Sequence, residues 1–318
     1  MRALVRYRYG GPGVVRVEDV DPPTLKDDRV LVRVRASSLN KADWHQLRGR
    51  PRVMRPMLGG VRRPKSPLMG NDFAGVVEAV GKDVADLRPG DEVFGGGPGA
   101  CAEYVSAKSV VRKPAGVSFE AAAAVPIAGL TALQGLRDHG KLQPGQRVLV
   151  NGASGGVGSM AIQIAKTLGG DVTAVVSTRN VAQARALGAD RVIDRIHDDF
   201  TQEEARYDLI LDVAGGHSWR ALRRVLAPHG RVVLVGAHGS RGPLRHLAAL
   251  WLASRGGRGE LVFFVTKFPK EDLETLAGLL ERGELTPVID RTYGLEEGTE
   301  ALREFGKGHV RGKLVLTI

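Results

Sequence analysis

The sequence predicts an α/β protein in two parts: a β-rich first third, then a buried parallel sheet built from βαβ units. Three observations carry this. Up to about Ala121, short apolar runs are broken by Gly and Pro. From Arg147 onward, apolar strands alternate with helices. The first of those strands runs straight into a glycine-rich turn, Asn151 to Gly158, and then a helix. A length of 318 residues agrees, since it corresponds to about two domains of roughly 150 residues.

In the first third, Arg29 to Arg35 places Val30, Val32 and Val34 at the period of two of a half-buried strand. Phe73–Val80, Asp91–Phe94 and Tyr104–Val105 follow as strands, separated by Gly81 and Pro89-Gly90. The rhythm changes near Ala121, with helices over Ala121–Val125 and Leu130–Asp138. Strands are then expected at Arg147–Val150, Val172–Val176, Arg191–Ile193, Asp208–Leu211, Arg231–Val235 and Leu261–Val265. Helices fall between them at Ser159–Leu168, Val181–Leu187 and Trp219–Leu226, the second closed by Gly188 and the third by Pro228 and Gly230. In the tail, Asp272–Arg282 carries Leu273, Leu276, Leu279 and Leu280 on one helical face. Ala301–Phe305 reads as helix, and Lys313–Ile318 as a strand that rejoins the N-terminal part. The expected division is 1–122, 123–265 and 266–318.

Composition removes several function classes. Hydrophobic content of 43% and charged content of 25% are those of a globular chain, not a disordered one. The single cysteine, Cys101, excludes an intramolecular disulfide and any site of several thiolates. No apolar run reaches the ~20 residues of a membrane span, and the N-terminus has no signal-peptide run, so a cytoplasmic location is expected. The formal charge of +11 raises the question of nucleic acid. Its densest stretch, Arg48 to Lys65, has no aromatic residue to stack bases, which favours a solvated or phosphate-facing surface.

The glycine-rich turn carries the first chemical signal. Read as a dinucleotide fingerprint it is Ala153-x-Gly155-x-x-Gly158, with Ala at the usual first glycine. Gly155 lets the backbone approach a pyrophosphate, and Gly158 lets helix and strand pack closely. Ser154, Gly155, Gly156, Val157 and Gly158 are therefore candidate cofactor contacts at a helix N-terminus. An NAD site places a carboxylate after the second strand; here that position reads Ser177-Thr178-Arg179. Hydroxyls and a guanidinium suit a 2′-phosphate, and Arg195 adds a second cation, so NADPH is the expected cofactor.

Several stretches resemble the zinc-independent, quinone-oxidoreductase (zeta-crystallin-like) branch of the medium-chain dehydrogenase/reductases. They are Ser38–Asp43, Gly70-Asn-Asp-Phe-Ala-Gly-Val-Val-Glu-Ala-Val-Gly81, Pro89–Phe94, Ala102–Val105, Gly129–Ala132, Asn151–Gly158, Leu187–Asp190 and Gly308–Lys313. The resemblance implies a GroES-like substrate domain and a Rossmann doubly wound sheet of strand order 3-2-1-4-5-6, with a cleft between them. It also implies roles for particular residues. Asn40 resembles the asparagine whose amide polarises the substrate oxygen, with capping of a turn as its structural alternative. Thr131, Gly236 and Ala237 resemble contacts to the nicotinamide half, whereas Asp43 matches a structural role better than proton donation. Trp44 and Leu47 stand as cleft-lining candidates against an ordinary core role. Zinc-dependent relatives carry Cys and His ligands around the positions of Asn40 and Asn71; with Asn at both, no catalytic metal is expected.

The expected activity is hydride transfer from NADPH to a quinone or an α,β-unsaturated carbonyl, with the proton drawn from solvent or from a donor the sequence does not identify. One alternative is a secondary-alcohol or aldehyde reductase of the same fold. Another is an NADPH-binding interaction or RNA-binding protein, supported only by the Arg48–Lys65 stretch. Nucleic acid and membrane are disfavoured as partners. A homodimer is expected, continuing the sheet through the apolar edge strand Leu261–Val265.

Overall fold

The computed structural model describes residues 1–50, 52, 55, 60–236 and 259–318, in two units. The first comprises Met1–Leu130 with Phe268–Ile318, the second Thr131–Lys267. The first boundary falls inside helix α3 (Pro126–Gln134), which follows α2 (Phe119–Ala123) and runs on without a break from Pro126.

The first unit holds strands β1 (Arg2–Arg6), β2 (Val15–Asp19), β3 (Val30–Ser38), β4 (Asp72–Val80), β5 (Glu92–Gly96), β6 (Tyr104–Ala107) and β7 (Ser109–Arg112). The tail adds β14 (Ile289–Gly294) and β15 (Lys313–Thr317). Strands β1 and β2 form an antiparallel ribbon. The larger sheet runs β14-β15-β3-β4-β5-β7, with β6 also on β3. Along β3 the buried positions are Val30, Val32 and Val34, as the period of two predicts, and then Ala36, Ser37 and Ser38 are all buried. A register shift against β4 between Val34 and Ala36 produces that change and turns two hydroxyls inward. Strand β15 lies antiparallel to β3 and parallel to β14, which sets Lys313 beside the end of β3.

The second unit is a six-stranded sheet of β8 (Arg147–Asn151), β9 (Asp171–Val176), β10 (Arg191–Asp194), β11 (Tyr207–Asp212), β12 (Leu226–Leu234) and β13 (Glu260–Phe263). Its order is β10-β9-β8-β11-β12-β13 with every neighbouring pair parallel, the 3-2-1-4-5-6 arrangement. Helices α4 (Gly156–Thr167), α5 (Val181–Ala186) and α6 (Trp219–Arg224) supply crossovers. Val148, Leu149 and Val150 are fully buried, as a strand covered on both faces requires. Each such side chain contributes about 1.5–3 kcal/mol on burial.

Some elements depart from expectation. Leu226 to Gly230, expected as a helix end and turn, belong to β12. The β11–β12 register jumps from Tyr207↔Leu226 to Leu209↔Arg231, so Pro228, which has no N–H to donate, sits in the irregularity. Helix α1 (Lys41–Arg48) was hidden by its composition, since only Asp43 and Leu47 are buried in it. The β1–β2 ribbon, β7 and β14 were also missed.

Candidate functional site

Each unit carries a polar constellation. In the first, helix α1 starts at Asn40, where the backbone leaves β3 in extended conformation. The Asp43 carboxylate accepts from Asn40 N at 2.8 Å and from Asn71 Nδ2 at 2.5 Å, so it closes the first turn of α1 and holds the start of β4 to it. The Asn40 side chain points the other way. Its Nδ2 donates to Asp72 Oδ2 at 2.8 Å, and its Oδ1 accepts from Lys313 Nζ at 2.5 Å. Asp72 is wholly buried and also accepts from Ser38 Oγ at 3.2 Å, Lys313 Nζ at 3.4 Å and the Ile127 amide at 3.0 Å. The second N–H of Asn40 reaches only Ser38 O, at 3.5 Å.

Burial pushes the Asp72 carboxyl up and the Lys313 ammonium down, while each one's charge opposes the other's shift. Four donated hydrogen bonds on Asp72, one of them from the Lys313 ammonium, favour its ionised form, so the two stand as a buried ion pair. Burial, reinforced by the Asp72 charge, pushes Asp43 up to about 6. An unfolded aspartate titrates near ~3.9. The folded state therefore holds this proton more tightly. The stability Asp43 contributes is complete below about pH 4 and is lost as the pH rises through about 6. The gap amounts to about 3 kcal/mol. Relative to Asp43→Asn, the native chain is expected to lose that much between pH 4 and pH 7 in denaturant unfolding. A difference independent of pH would show that Asp43 titrates normally.

In the second unit, β8 enters the turn that precedes α4. Gly152 adopts φ +85°, a conformation L side chains rarely take. A Cβ on Gly158 would lie 2.6 Å from Ala153 Cα and closer still to Gly152 O, so glycine there is demanded by packing. Gly155 is different. It has extended backbone, and a Cβ on it would meet nothing nearer than Gly152 O at 4.0 Å. Gly155 is the N-cap of α4 and carries no side-chain cap, leaving the first-turn amides of Gly156 and Val157 for a ligand. Ser154 O accepts from Gln183 Nε2 at 3.5 Å, tying the turn to α5.

At the end of β9, Ser177 Oγ accepts from Asn180 Nδ2 at 3.1 Å, and Asn180 Oδ1 is buried without a partner among the described residues. Arg195 N donates to Val176 O at 2.8 Å, which sets Arg195 beside Ser177–Arg179 although it is far away in sequence. The same pairing brings in a carboxylate that sequence reading missed. Asp194 pairs with Val176 across the sheet, and the Thr178 hydroxyl donates to it and lowers its pKa. Asp171 sits at the opposite end of the strand, as expected.

Other expected residues are placed as follows. Thr131 is buried with its hydroxyl 2.8 Å from that of Thr266. Gly236 N donates to Asp212 O at 3.2 Å, and a Cβ there would collide with Val213 O. Ala237 lies outside the described residues. Leu47 belongs to the core of the first unit, and the half-buried Trp44 packs against that core. Leu47 is fully buried, and Trp44 packs on Phe305 and crowds Gly306. Cys101 is buried, and desolvation pushes its thiol up to about 12, which removes it as a nucleophile. Among the described residues no group of three or more His, Cys, Asp or Glu is arranged to hold a metal ion, and no helix is long and apolar enough to cross a membrane.

The sequence model of the alcohol dehydrogenase GroES-like domain matches residues 26–133, and that described as zinc-binding dehydrogenase matches 187–316. The chain is 34% identical to the quinone-oxidoreductase QR1, chloroplastic, of Triphysaria versicolor, over 99% of this chain and 98% of that protein. The chain belongs to the medium-chain dehydrogenase/reductase family. Within it, the chain is 32% identical to the NADPH-dependent alkenal/one oxidoreductase, chloroplastic, of Arabidopsis thaliana, over 99% of this chain and 79% of that one. The structure of the quinone oxidoreductase from Coxiella burnetii superposes with a TM-score of 0.87 at 31% identity, covering 100% and 99% of the two chains. As a member of this family the chain is an oxidoreductase.

Asp72 and Lys313 are the site residues that sequence reading did not single out. Both left a signal. Each is a charge heading an apolar run, Asp72 before Phe73–Val77 and Lys313 before Leu314–Leu316.

Proposed function

We propose that this protein transfers a hydride from NADPH to a quinone or an α,β-unsaturated carbonyl, without a catalytic metal. The observation that carries the reading is the bare Gly155 cradle at the N-terminus of α4, beside the Ser177–Arg179 turn. The fit with a dinucleotide is chemical. Exposed first-turn amides meet a pyrophosphate. Ser177, Thr178, Arg179 and Arg195 supply hydroxyls and guanidinium forks for a 2′-phosphate. The orphaned Asn180 Oδ1 can accept from a ribose hydroxyl. This reading assigns Thr131 and Gly236 to the nicotinamide half, as the family resemblance implies. When bound, the reduced nicotinamide supplies the hydride. In the first unit, Asn40 meets the oxygen on which negative charge develops. Its weak 3.5 Å contact with Ser38 O yields to the acceptor, while the stronger bonds to Asp72 and Lys313 keep the amide oriented. Lys313 on the amide oxygen strengthens the N–H as a donor. The names of the plant relatives, a quinone oxidoreductase and an alkenal/one oxidoreductase, support both acceptor classes.

The test follows NADPH oxidation, with NADH as control, against an ortho-quinone, an alkenal and a simple ketone. Turnover of quinone or alkenal with NADPH is expected. Arg179→Ala should lower kcat/KM for NADPH at least tenfold and leave NADH unchanged. Preference for NADH in the native chain, which Asp194 would favour, would overturn the coenzyme assignment. Turnover of the ketone alone would move the protein to the carbonyl reductases.

A dimer is also proposed. Strand β13 closes one edge of the sheet, no described strand pairs with its outer side, and Phe263 and the adjacent Val265 are exposed. Light scattering should give twice the 34.0 kDa chain mass, and a monomer at micromolar concentration would refute it.

A further inference from the structure

A second binding site is present in the first unit. Where α1 ends, Tyr9, Gly10, Gly11, Arg48, Arg50, Arg52 and Arg55 line a cavity of about 290 Å³. Every charged residue in that wall is an arginine. Among the described residues none of the four has a carboxylate within 4.0 Å, whereas Arg191, Arg282 and Arg303 elsewhere on the surface pair with Glu203, Glu284 and Glu300.

The cavity is built rather than incidental. Gly49 ends α1 in the left-handed conformation, and a Cβ there would touch the Tyr9 ring at 2.5 Å, so the helix end and the Tyr9 loop are in close contact. Gly10 N donates to Leu47 O at 3.0 Å and fixes that loop to the helix. Arg55 is stacked over the Tyr9 ring at 4.5 Å, and donates from Nε to Gly49 O at 3.0 Å and from Nη1 to Val61 O at 3.2 Å. Its second terminal nitrogen has no hydrogen bond to the described residues. Arg48 is steadied over the Trp44 ring at 5.5 Å. Opposite them the floor is bare backbone, since a Cβ on Gly11 would meet only Arg48 Nη1, at 3.9 Å. Two guanidinium groups are thus held in place before any ligand arrives, which lowers the entropic cost of binding.

We propose that this cavity binds the phosphate or diphosphate group of a small molecule. Like charges gathered without counter-charge favour an anion that carries more than one negative charge. Arginine without lysine matches bidentate recognition of phosphate oxygens. The volume is at the lower limit of small-molecule pockets, about 300 Å³, and takes a phosphorylated headgroup rather than a whole dinucleotide. The site belongs to the first unit, and the glycine-rich turn to the second.

Calorimetric titration of the full chain with inorganic pyrophosphate tests this, in the presence of saturating NADP+. One pyrophosphate per chain is expected, bound at least tenfold more weakly by Arg50→Ala/Arg52→Ala and by Arg55→Ala. Arg50 and Arg52 are exposed, so the double variant keeps its fold. The variant Gly155→Val is expected to bind pyrophosphate as the native chain does; it separates this cavity from the nucleotide turn even if NADP+ fails to bind. Arg50→Lys/Arg52→Lys should recover only part of the affinity if recognition is bidentate. The proposal is overturned by absence of binding below millimolar pyrophosphate, by identical affinity in the double alanine variant, or by retention of short RNA on the arginines with no pyrophosphate binding.

Discussion

Replacing Lys313 with methionine is expected to destabilise the first unit by about 3–5 kcal/mol, the usual cost of orphaning one member of a buried ion pair. Lys313 is 3% exposed and Asp72 is fully buried, so water cannot replace the lost ammonium. Asp72 then has two courses. Staying ionised leaves a charge in a low-dielectric interior with only neutral donors around it. Taking up a proton places a new O–H among groups that already donate to it, namely Asn40, Ser38 and the Ile127 amide. That proton can be received only by regrouping the neighbours: Ser38 Oγ must turn its own hydrogen elsewhere, or the Asn40 amide must rotate to present the Oδ1 freed by the loss of Lys313. The variant Lys313→Met/Asp72→Asn should recover part of the loss. Asn keeps an oxygen for the Ile127 amide and removes the charge, though its NH2 faces the other donors. Arginine at 313 should also fail to restore full stability, because its fork is larger than the site that holds one ammonium. With Trp219 and Trp251 replaced by Phe, Trp44 fluorescence in urea reports this unit, and a shift smaller than about 1 kcal/mol would show that the pair contributes little beyond its desolvation cost.

The same cluster shows why part of the site was legible and part was not. Asn40 and the glycines of the α4 turn stand in contiguous motifs, where local spacing carries the meaning. The Rossmann order was likewise legible, because fully buried parallel strands such as Val148–Val150 read as unbroken apolar runs. The pairing of Asp72 with Lys313 joins residues from β4 and β15, 241 positions apart, through a strand order that only tertiary structure provides. Asp194 escaped notice for the same reason, as it reaches Thr178 across two parallel strands. Helix α1 was missed because its exposed face is polar, and it is fixed by the Asp43 carboxylate at its start and Gly49 at its end rather than by apolar periodicity. Polarising a substrate oxygen and capping a turn are competing uses of the Asn40 side chain. In the fold the work is divided, with Asp43 closing the helix turn and the Asn40 amide left to Asp72 and Lys313.

The variants Gly155→Val and Gly158→Ala are expected to fail in opposite ways, and the contrast decides whether the α4 turn is a cofactor site. At Gly158 the methyl group of alanine has nowhere to go. Ala153 Cα at 2.6 Å and the still closer Gly152 O are backbone atoms that cannot rotate away. The turn or helix α4 must shift, at a cost of about 3 kcal/mol or more, in the range of severe overpacking. At Gly155 the protein itself offers no obstacle. The backbone is extended, and the nearest atom to a built Cβ is 4.0 Å away. Valine there should change stability by no more than about 1 kcal/mol, most of it from a poorer N-cap. Its branched side chain nevertheless fills the space through which a pyrophosphate approaches the amides of Gly156 and Val157. The Kd for NADPH should rise at least a hundredfold, about 2.7 kcal/mol, with an unfolding midpoint close to native. Native-like NADPH affinity in Gly155→Val would mean that the space above Gly155 serves no ligand, and the proposed hydride donor would have to bind elsewhere.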